Sequence, residues 1–392
     1  MSTSTQADPA AGTQSPRRSR LVGLPLALTF MAEFASLASF LLLVSVMPMV
    51  AAAAGASSAA AGLITGALLG GTVIAEAAAA FAIRRFGYRV VLAAGALLLG
   101  APTLALLPRE PLTVVVAVSL VRGLGFGLCG VAAGALTALL LPAERRGEGL
   151  GLLGIVSGVP AIVALPAGVW LAGHDQATVA VAIAAIMGLL PLAALRRLPA
   201  GRPGSQPGGG PAASRRGALR LALVFAACTV AAGVIDSFLP LARGVPSGTA
   251  STALLVQSIT ATLSRWQAGR HGDRLGHARL LVPAVIASAL GLGALIWLAS
   301  PAAMLAGLAL FGAGFGVVEN STFALLIERL PEARASALWN LAYDAGYGAG
   351  PVMFGLFSAR TGYPTGFALT GLLVLAALPA ARRAREAPGR GA

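Results

Sequence analysis

The sequence has little charge, few aromatic residues and no lysine. Charged residues make up 11% of its 392 positions, whereas a soluble domain has about 25%. The chain is therefore not expected to fold as a soluble domain. The two cysteines, Cys129 and Cys228, fall in apolar segments, so no disulfide framework is implied. The three histidines are far apart in polar segments, and they make no metal-ligand set.

Apolar residues account for 57% of the chain, and they are grouped in blocks of about 20 residues. A helix of that length crosses the ~30 Å hydrocarbon core of a bilayer. The 50 glycines favour closely packed helices rather than strands. We predict an all-α membrane protein with twelve transmembrane helices, at 21–48, 58–82, 89–107, 111–140, 148–173, 176–195, 218–241, 250–268, 279–299, 302–327, 335–358 and 363–381.

The net charge of +14 is distributed unevenly along the chain. Clusters of arginine occur at alternate junctions between the predicted spans, and the remaining junctions have only Arg109, Arg243 and Arg360. Such an asymmetry places the arginine-rich side, with both termini, in the cytoplasm. We therefore expect a multi-pass protein of the cytoplasmic (inner) membrane. Anionic lipid head groups, and not nucleic acid, are the expected partners of these clusters.

A polar segment rich in proline, glycine and serine divides the chain into two sets of six predicted spans. The predicted organisation is a disordered cytoplasmic N-terminus at 1–20, a first six-helix bundle at 21–198, a cytoplasmic linker at 199–217, a second six-helix bundle at 218–381 and a cytoplasmic tail at 382–392.

The two halves repeat at an offset of about 189 residues. RRFGYR at 84–89 corresponds to DRLGHA at 273–278, and GLGFG at 123–127 corresponds to GAGFG at 312–316. Matches that occur in the same order at one offset indicate an internal duplication. Two parallel repeats of six spans form a transporter architecture with a binding site between the halves.

The chain at this point resembles the major facilitator superfamily. The family motif Gly-x-x-x-Asp-Arg-x-Gly, in the loop between spans 8 and 9, is matched by Gly269, Asp273, Arg274 and Gly276. The first copy of the motif keeps Arg85 and Gly87 but has Arg84 in place of the aspartate. We expect Arg84 to pair with Glu332 instead. A glycine–proline pair, Gly350 and Pro351, occurs in span 11. By its overall pattern, the chain resembles bacterial efflux-type members of the superfamily.

Six charged residues fall within predicted spans and away from the arginine clusters at the span ends. An ionisable group costs a few kcal/mol or more inside a bilayer, and it usually faces a protein interior or a water-filled cavity. Glu33 and Arg122 both fall near the middle of the membrane, and we expect them to pair. Asp236, near the outer end of span 7, faces either water or the interior. The six residues are Glu33, Glu76, Arg122, Asp236, Glu319 and Asp344.

Span 11 carries Asn340, Asp344 and Tyr347 on one helical face. We expect Asn340 to donate a hydrogen bond to Asp344, and Asp344 either to exchange a proton during transport or to be a fixed structural group. Glu76 lies at a similar depth and competes for the same proton if spans 2 and 11 meet. Asn320, next to Glu319, is a further polar candidate, and either residue has a purely structural alternative.

These residues favour a secondary transporter, with proton-coupled export of a small organic molecule as the specific hypothesis. Uptake or uniport is the alternative within transport. A membrane-embedded enzyme would need a nucleophile with a base or clustered metal ligands, and a transporter-like receptor would be expected to add a long soluble domain. We expect a monomer that is not an enzyme and needs no cofactor or metal.

Overall fold

The computed structural model describes residues 23–106, 111–140, 146–199, 215–330 and 332–384, and all regular structure in these ranges is helical. The predicted N-terminus at 1–20, most of the linker at 199–217 and most of the tail lie outside the described residues.

The first half contains six consecutive spans, each one helix or two helices in line. Several spans begin with a capping serine or a proline in the first turn; Ser57, for example, accepts a hydrogen bond from the Ala60 amide. Spans 1 to 6 are Leu24–Val44 with Val46–Ala53, Ser58–Phe86, Tyr88–Gly100 with Pro102–Ala105, Leu112–Leu140, Arg146–Gly173, and Ala177–Leu189 with Leu190–Arg197.

The second half repeats this order. Ser300 caps span 10 in the way that Ser57 caps span 2, by accepting a hydrogen bond from the amide three residues later. Spans 7 to 12 are Arg215–Phe238 with Leu239–Leu241, Ser247–Leu275, His277–Ala294 with Leu295–Trp297, Pro301–Arg329, Glu332–Thr361, and Tyr363–Ala376 with Leu378–Arg383.

Within the described residues, ten helical segments are long and apolar enough to cross a membrane, which shows a multi-pass membrane protein. Spans 8 and 11 are not among the ten. Both are long, at 29 and 30 residues, and both pack within the bundle, but their inward faces carry polar residues that lower the hydropathy. Their crossing of the membrane stays a prediction.

Glycine packing confirms the internal repeat. In span 4, Gly123 packs against the backbone of span 2, and Gly125 packs against the backbone of span 3. At the equivalent positions of span 10, Gly312 packs against span 8 and Gly314 against span 9. A methyl group at any of these positions would meet backbone atoms at less than 3 Å. The repeated glycines therefore fix the same helix packing in both halves.

The two copies of the loop motif also share one backbone conformation. Gly87, between spans 2 and 3, and Gly276, between spans 8 and 9, both have φ of 85°. A side chain at that φ is strained, which explains why glycine occupies both positions.

The two halves meet along spans 2 and 11 and along spans 5 and 8. Near the span ends that the arginine distribution places outside, Thr65 shares a 3.1 Å hydrogen bond with Ser237, and Ser251 donates a 2.8 Å hydrogen bond to the carbonyl of Pro166. Ser58 and Tyr363 also share a bond at this side, of 3.2 Å. These contacts close the outer side of the boundary between the halves.

Candidate functional site

Two carboxyl groups from opposite halves contact each other. Glu76 of span 2 and Asp344 of span 11 lie close enough for their carboxyl groups to interact. Asp344 is buried, with 6% of its surface exposed, and Glu76 is half-buried. Spans 2 and 11 therefore meet, which is the condition under which Glu76 was expected to compete for the proton of Asp344.

Spans 2 and 11 run antiparallel, and they pack closely against each other on the side of this pair that is nearer the expected outer end of the spans. Gly348 packs on Leu69, and Gly62 lies against the backbone of Pro351. The close approach brings the helix axes near enough for the short Asp344 side chain to reach Glu76. Gly348 of span 11 and Gly62 of span 2 thus position the carboxyl pair.

Asn340 does not donate to Asp344. Its side chain is exposed, one turn nearer the expected cytoplasmic end of span 11, and no described group bonds to it. The expected Asn340–Asp344 hydrogen bond is wrong. The two residues share a face by sequence spacing, but Asp344 turns toward span 2 because Glu76 is there.

Asp236 is buried, which corrects the alternative that placed it in water. Its Oδ2 accepts a 2.7 Å hydrogen bond from the hydroxyl of Tyr347, and its Oδ1 accepts a weaker one of 3.4 Å from Gln257. Its backbone carbonyl accepts a hydrogen bond from Ser45 of span 1. The residue therefore joins spans 1, 7, 8 and 11 at one point.

Arg122 is fully buried and is held by neutral groups. Its Nε donates to Thr103 Oγ1, and its Nη2 donates to the Ser39 carbonyl, both at 2.9 Å. Glu33 lies six residues before Ser39 on span 1, about 9 Å along the helix axis, and it makes no ion pair with Arg122. The expected Glu33–Arg122 pair is wrong, because the guanidinium points to the outer side of Glu33.

Glu319 of span 10 forms an ion pair with Arg265 of span 8, with Nη1 and Oε1 separated by 2.9 Å. Glu319 is largely buried, and Arg265 is partly exposed. The pair joins two helices of the second half, so it stabilises packing within that half. Arg265 occupies the position equivalent to Glu76 in the internal repeat. The repeat could therefore have predicted from the sequence that the Arg265 side chain faces inward.

A column of aromatic rings crosses the boundary between the halves. Phe126 of span 4 stacks on Phe40 of span 1, and Phe40 contacts Tyr347 of span 11, followed by Tyr343 and Trp339 on the same helix. Successive ring centroids are 4.4 to 6.4 Å apart. The column presents flat apolar surfaces beside Asp236.

Four buried polar atoms, on spans 1, 8, 10 and 11, have no hydrogen-bond partner among the described residues. They are Oε2 of Glu33, Oε1 of Gln257, Oδ1 of Asn320 and Nε1 of Trp339. Buried polar atoms are nearly always hydrogen-bonded, to protein or to water. A partner other than the described residues, such as water or a bound molecule, is needed to satisfy these atoms. Gln257 was missed in the sequence because a lone glutamine in a span carries no charge signal.

The family model described as "Major Facilitator Superfamily" matches residues 29–338, most of the chain. The chain belongs to the major facilitator superfamily. It is accordingly a transporter protein and not an enzyme. No curated protein matches it by sequence.

Solved superfamily structures share the fold over nearly the whole chain. The nucleoside transporter NupG is 13% identical, with a TM-score of 0.69, over 93% of this chain and 100% of that one. The xylose transporter XylE from E. coli, in an inward open conformation, is 17% identical, with a TM-score of 0.71, over 91% and 94%. A D-xylose–proton symporter is 18% identical, with a TM-score of 0.69, over 91% and 96%.

The superfamily motif residues lie where the two repeats predict. Arg85 lies in the last turn of span 2 and Gly87 follows that span, and Gly269, Arg274 and Gly276 lie at the end of span 8. In span 11, Gly350 packs on the Val230 carbonyl of span 7. The side chains of Asp273 and Glu332 lie outside the described residues, so the Arg84–Glu332 pair stays a prediction.

Proposed function

We propose that this superfamily member is a proton-coupled secondary transporter of a small organic molecule, and that Glu76 and Asp344 carry the coupling proton. The observation that carries the proposal is the close approach of these two carboxyl groups, which belong to opposite halves. A carboxyl group beside a second carboxyl group holds a proton more readily than an isolated one. The proton therefore lies at the boundary that moves during alternating access.

Loss of this proton places two like charges in contact. Two carboxylates that share a site repel each other, and such pairs generally hold one proton between them. The proton stabilises the contact between spans 2 and 11, and its release favours separation of the halves at this depth. A ligand or a proton shifts the equilibrium between two conformations only if it binds one of them more tightly than the other.

The aromatic column and the unpartnered polar atoms favour a substrate with a flat apolar face and hydrogen-bonding groups. The cationic side chains of the described inner surface already have partners, since Arg122 donates to Ser39 and Thr103, and Arg265 pairs with Glu319. The inner surface therefore favours a neutral or cationic molecule over an anion.

The direction of transport has two candidates. Export by proton antiport follows from the resemblance of the sequence to efflux-type members. Uptake by proton symport is favoured by the similar structures, one of which is titled a D-xylose–proton symporter. Both candidates use the same carboxyl pair, so the direction is tested separately from the coupling.

The test uses purified protein in liposomes with an imposed pH gradient and three probes: xylose and uridine for uptake, and ethidium for export. We expect the gradient to drive at least one probe uphill. We expect Glu76→Gln and Asp344→Asn to abolish the uphill movement while downhill exchange of that probe continues. Glu328→Gln, a charge loss at an exposed position of span 10, is the matched control and leaves coupling intact. A probe that the wild type equilibrates downhill, but never accumulates with the gradient, would show a uniporter and overturn the proposal.

A further inference from the structure

The outward face of span 8 changes from apolar to basic toward one end. Ile259, Leu263 and Trp266 are exposed, the last two by 53% and 60%. Arg270 and Arg274 continue the same face and are also exposed. These positions follow one another at intervals of three or four residues, so they form one stripe along the helix. The arginine distribution places the basic end at the cytoplasmic surface.

A cavity of ≈ 350 Å³ lies at the basic end of this stripe, lined by Trp266, Gln267, Arg270, His271 and Arg274. The Arg270 guanidinium lies over the Trp266 ring, 4.9 Å from its centroid. Nδ1 of His271 is 2.9 Å from the Gln267 carbonyl. The stack holds Arg270 beside Arg274, and the histidine contact leaves Nε2 as the second ring nitrogen that can reach a ligand.

We propose that this surface binds one anionic phospholipid of the cytoplasmic leaflet. The phosphate lies on Arg270, Arg274 and His271, and an acyl chain follows Trp266, Leu263 and Ile259 toward the middle of the membrane. Arginine binds phosphate through paired N–H donors, and basic clusters on cytoplasmic membrane surfaces recognise anionic head groups. A tryptophan at the border between the two regions suits the membrane–water interface.

The length of the stripe favours a lipid over a free phosphate ion. From Arg270 to Ile259 the helix rises about 16 Å, close to half of the ~30 Å hydrocarbon core. A phosphate ion uses the basic cluster alone and gains nothing from the apolar side chains. A phospholipid uses both parts of the stripe.

The test is native mass spectrometry of the detergent-purified protein with added phosphatidylglycerol or phosphatidylcholine. We expect the wild type to retain one phosphatidylglycerol in preference to phosphatidylcholine. Arg270→Gln with Arg274→Gln should weaken this retention about 30-fold, from the usual strength of two arginine–head-group contacts. Arg382→Gln with Arg383→Gln removes the same charge at another exposed position near the expected cytoplasmic surface. It should leave the retention unchanged.

Two further arms separate the possible ligands. Inorganic phosphate should not displace the phosphatidylglycerol, and Trp266→Ala should weaken lipid retention although every charge remains. Equal retention of both lipids, equal retention in the arginine variant, or displacement by inorganic phosphate at the lipid's own concentration would each overturn the proposal. If the arginine variant does not fold, the Trp266→Ala and phosphate arms decide the outcome.

Discussion

Tyr347 of span 11 donates a 2.7 Å hydrogen bond to Asp236 of span 7, and the backbone carbonyl of Asp236 accepts one from Ser45 of span 1. The same Tyr347 ring lies 6.4 Å from Phe40 of the first half. One tyrosine therefore links the buried carboxyl of the second half to the aromatic column that crosses the boundary. We expect a substrate that binds between the halves to contact this junction.

Tyr347→Phe keeps the ring and removes the hydroxyl. The variant leaves Oδ2 of Asp236 without its nearest donor, and an unsatisfied buried acceptor costs about 1–3 kcal/mol. We expect a lower melting temperature in detergent and slower transport of the probe that the wild type moves. Tyr343→Phe is the matched control, because its ring stacks in the same column but its hydroxyl makes no hydrogen bond in the described part of the chain. Equal effects of the two variants would show that the hydroxyl of Tyr347 contributes nothing.

Arg122 is expected to couple energetically with Thr103 and not with Glu33. A double-mutant cycle on thermal stability measures this, because residues in contact show interaction energies of about 0.5–3 kcal/mol, whereas distant residues add. The cycle of Arg122→Gln with Thr103→Val should show coupling, since the Nε donor and its acceptor are removed together. The cycle of Arg122→Gln with Glu33→Gln should be additive. Strong coupling in the second cycle alone would contradict the structure.

The sequence predicts the spans and the repeat well because both depend on periodic patterns. Gly123 and Gly312 mark equivalent contacts, and the structure places Gly123 against the backbone of span 2 and Gly312 against the backbone of span 8. Depth in the membrane is also readable, since it follows from counting residues along a helix. That count placed Glu76 and Asp344 at one level, where they meet.

The sequence predicts partners poorly because depth does not fix the direction in which a side chain points. Counting residues predicted similar depths for Arg122 and Glu33, yet the guanidinium bonds to Ser39 and Thr103, on the outer side of Glu33. A backbone carbonyl and a hydroxyl satisfy a buried arginine without an opposite charge, and neither appears in a count of charged residues. The sequence left open whether Asp236 faces water or the interior for the same reason, because its hydrogen-bond donors Tyr347 and Gln257 are neutral.

Spans 8 and 11 are expected to cross the membrane despite their polar faces. A periplasm-active reporter fused after Gly362, between spans 11 and 12, should be active, and the same reporter fused at Ala392 should be inactive. A second fusion pair, after Gly244 and after Gly276, brackets span 8 in the same way. An inactive reporter after Gly362 would show that span 11 does not cross the membrane.

The contact between Glu76 and Asp344 is expected to open when the pair loses its proton. Two carboxylates about 4 Å apart repel by about 4 kcal/mol at an effective dielectric constant of ~20, which is enough to change which state predominates. Below the pH at which the proton leaves, the halves stay in contact at this depth; above it, the contact weakens. Spin labels at Ala80→Cys and Leu341→Cys, both exposed near the pair, report the separation of spans 2 and 11 by electron paramagnetic resonance. We expect the wild-type distance distribution to shift to longer values as the pH rises.

Asp344→Asn removes one charge and keeps a hydrogen-bond donor for Glu76, so the distance distribution of this variant should not respond to pH. Glu328→Gln controls for a general charge effect. If Asp344→Asn shifts with pH as the wild type does, and still drives its probe uphill, Asp344 is a structural residue and the proton binds elsewhere.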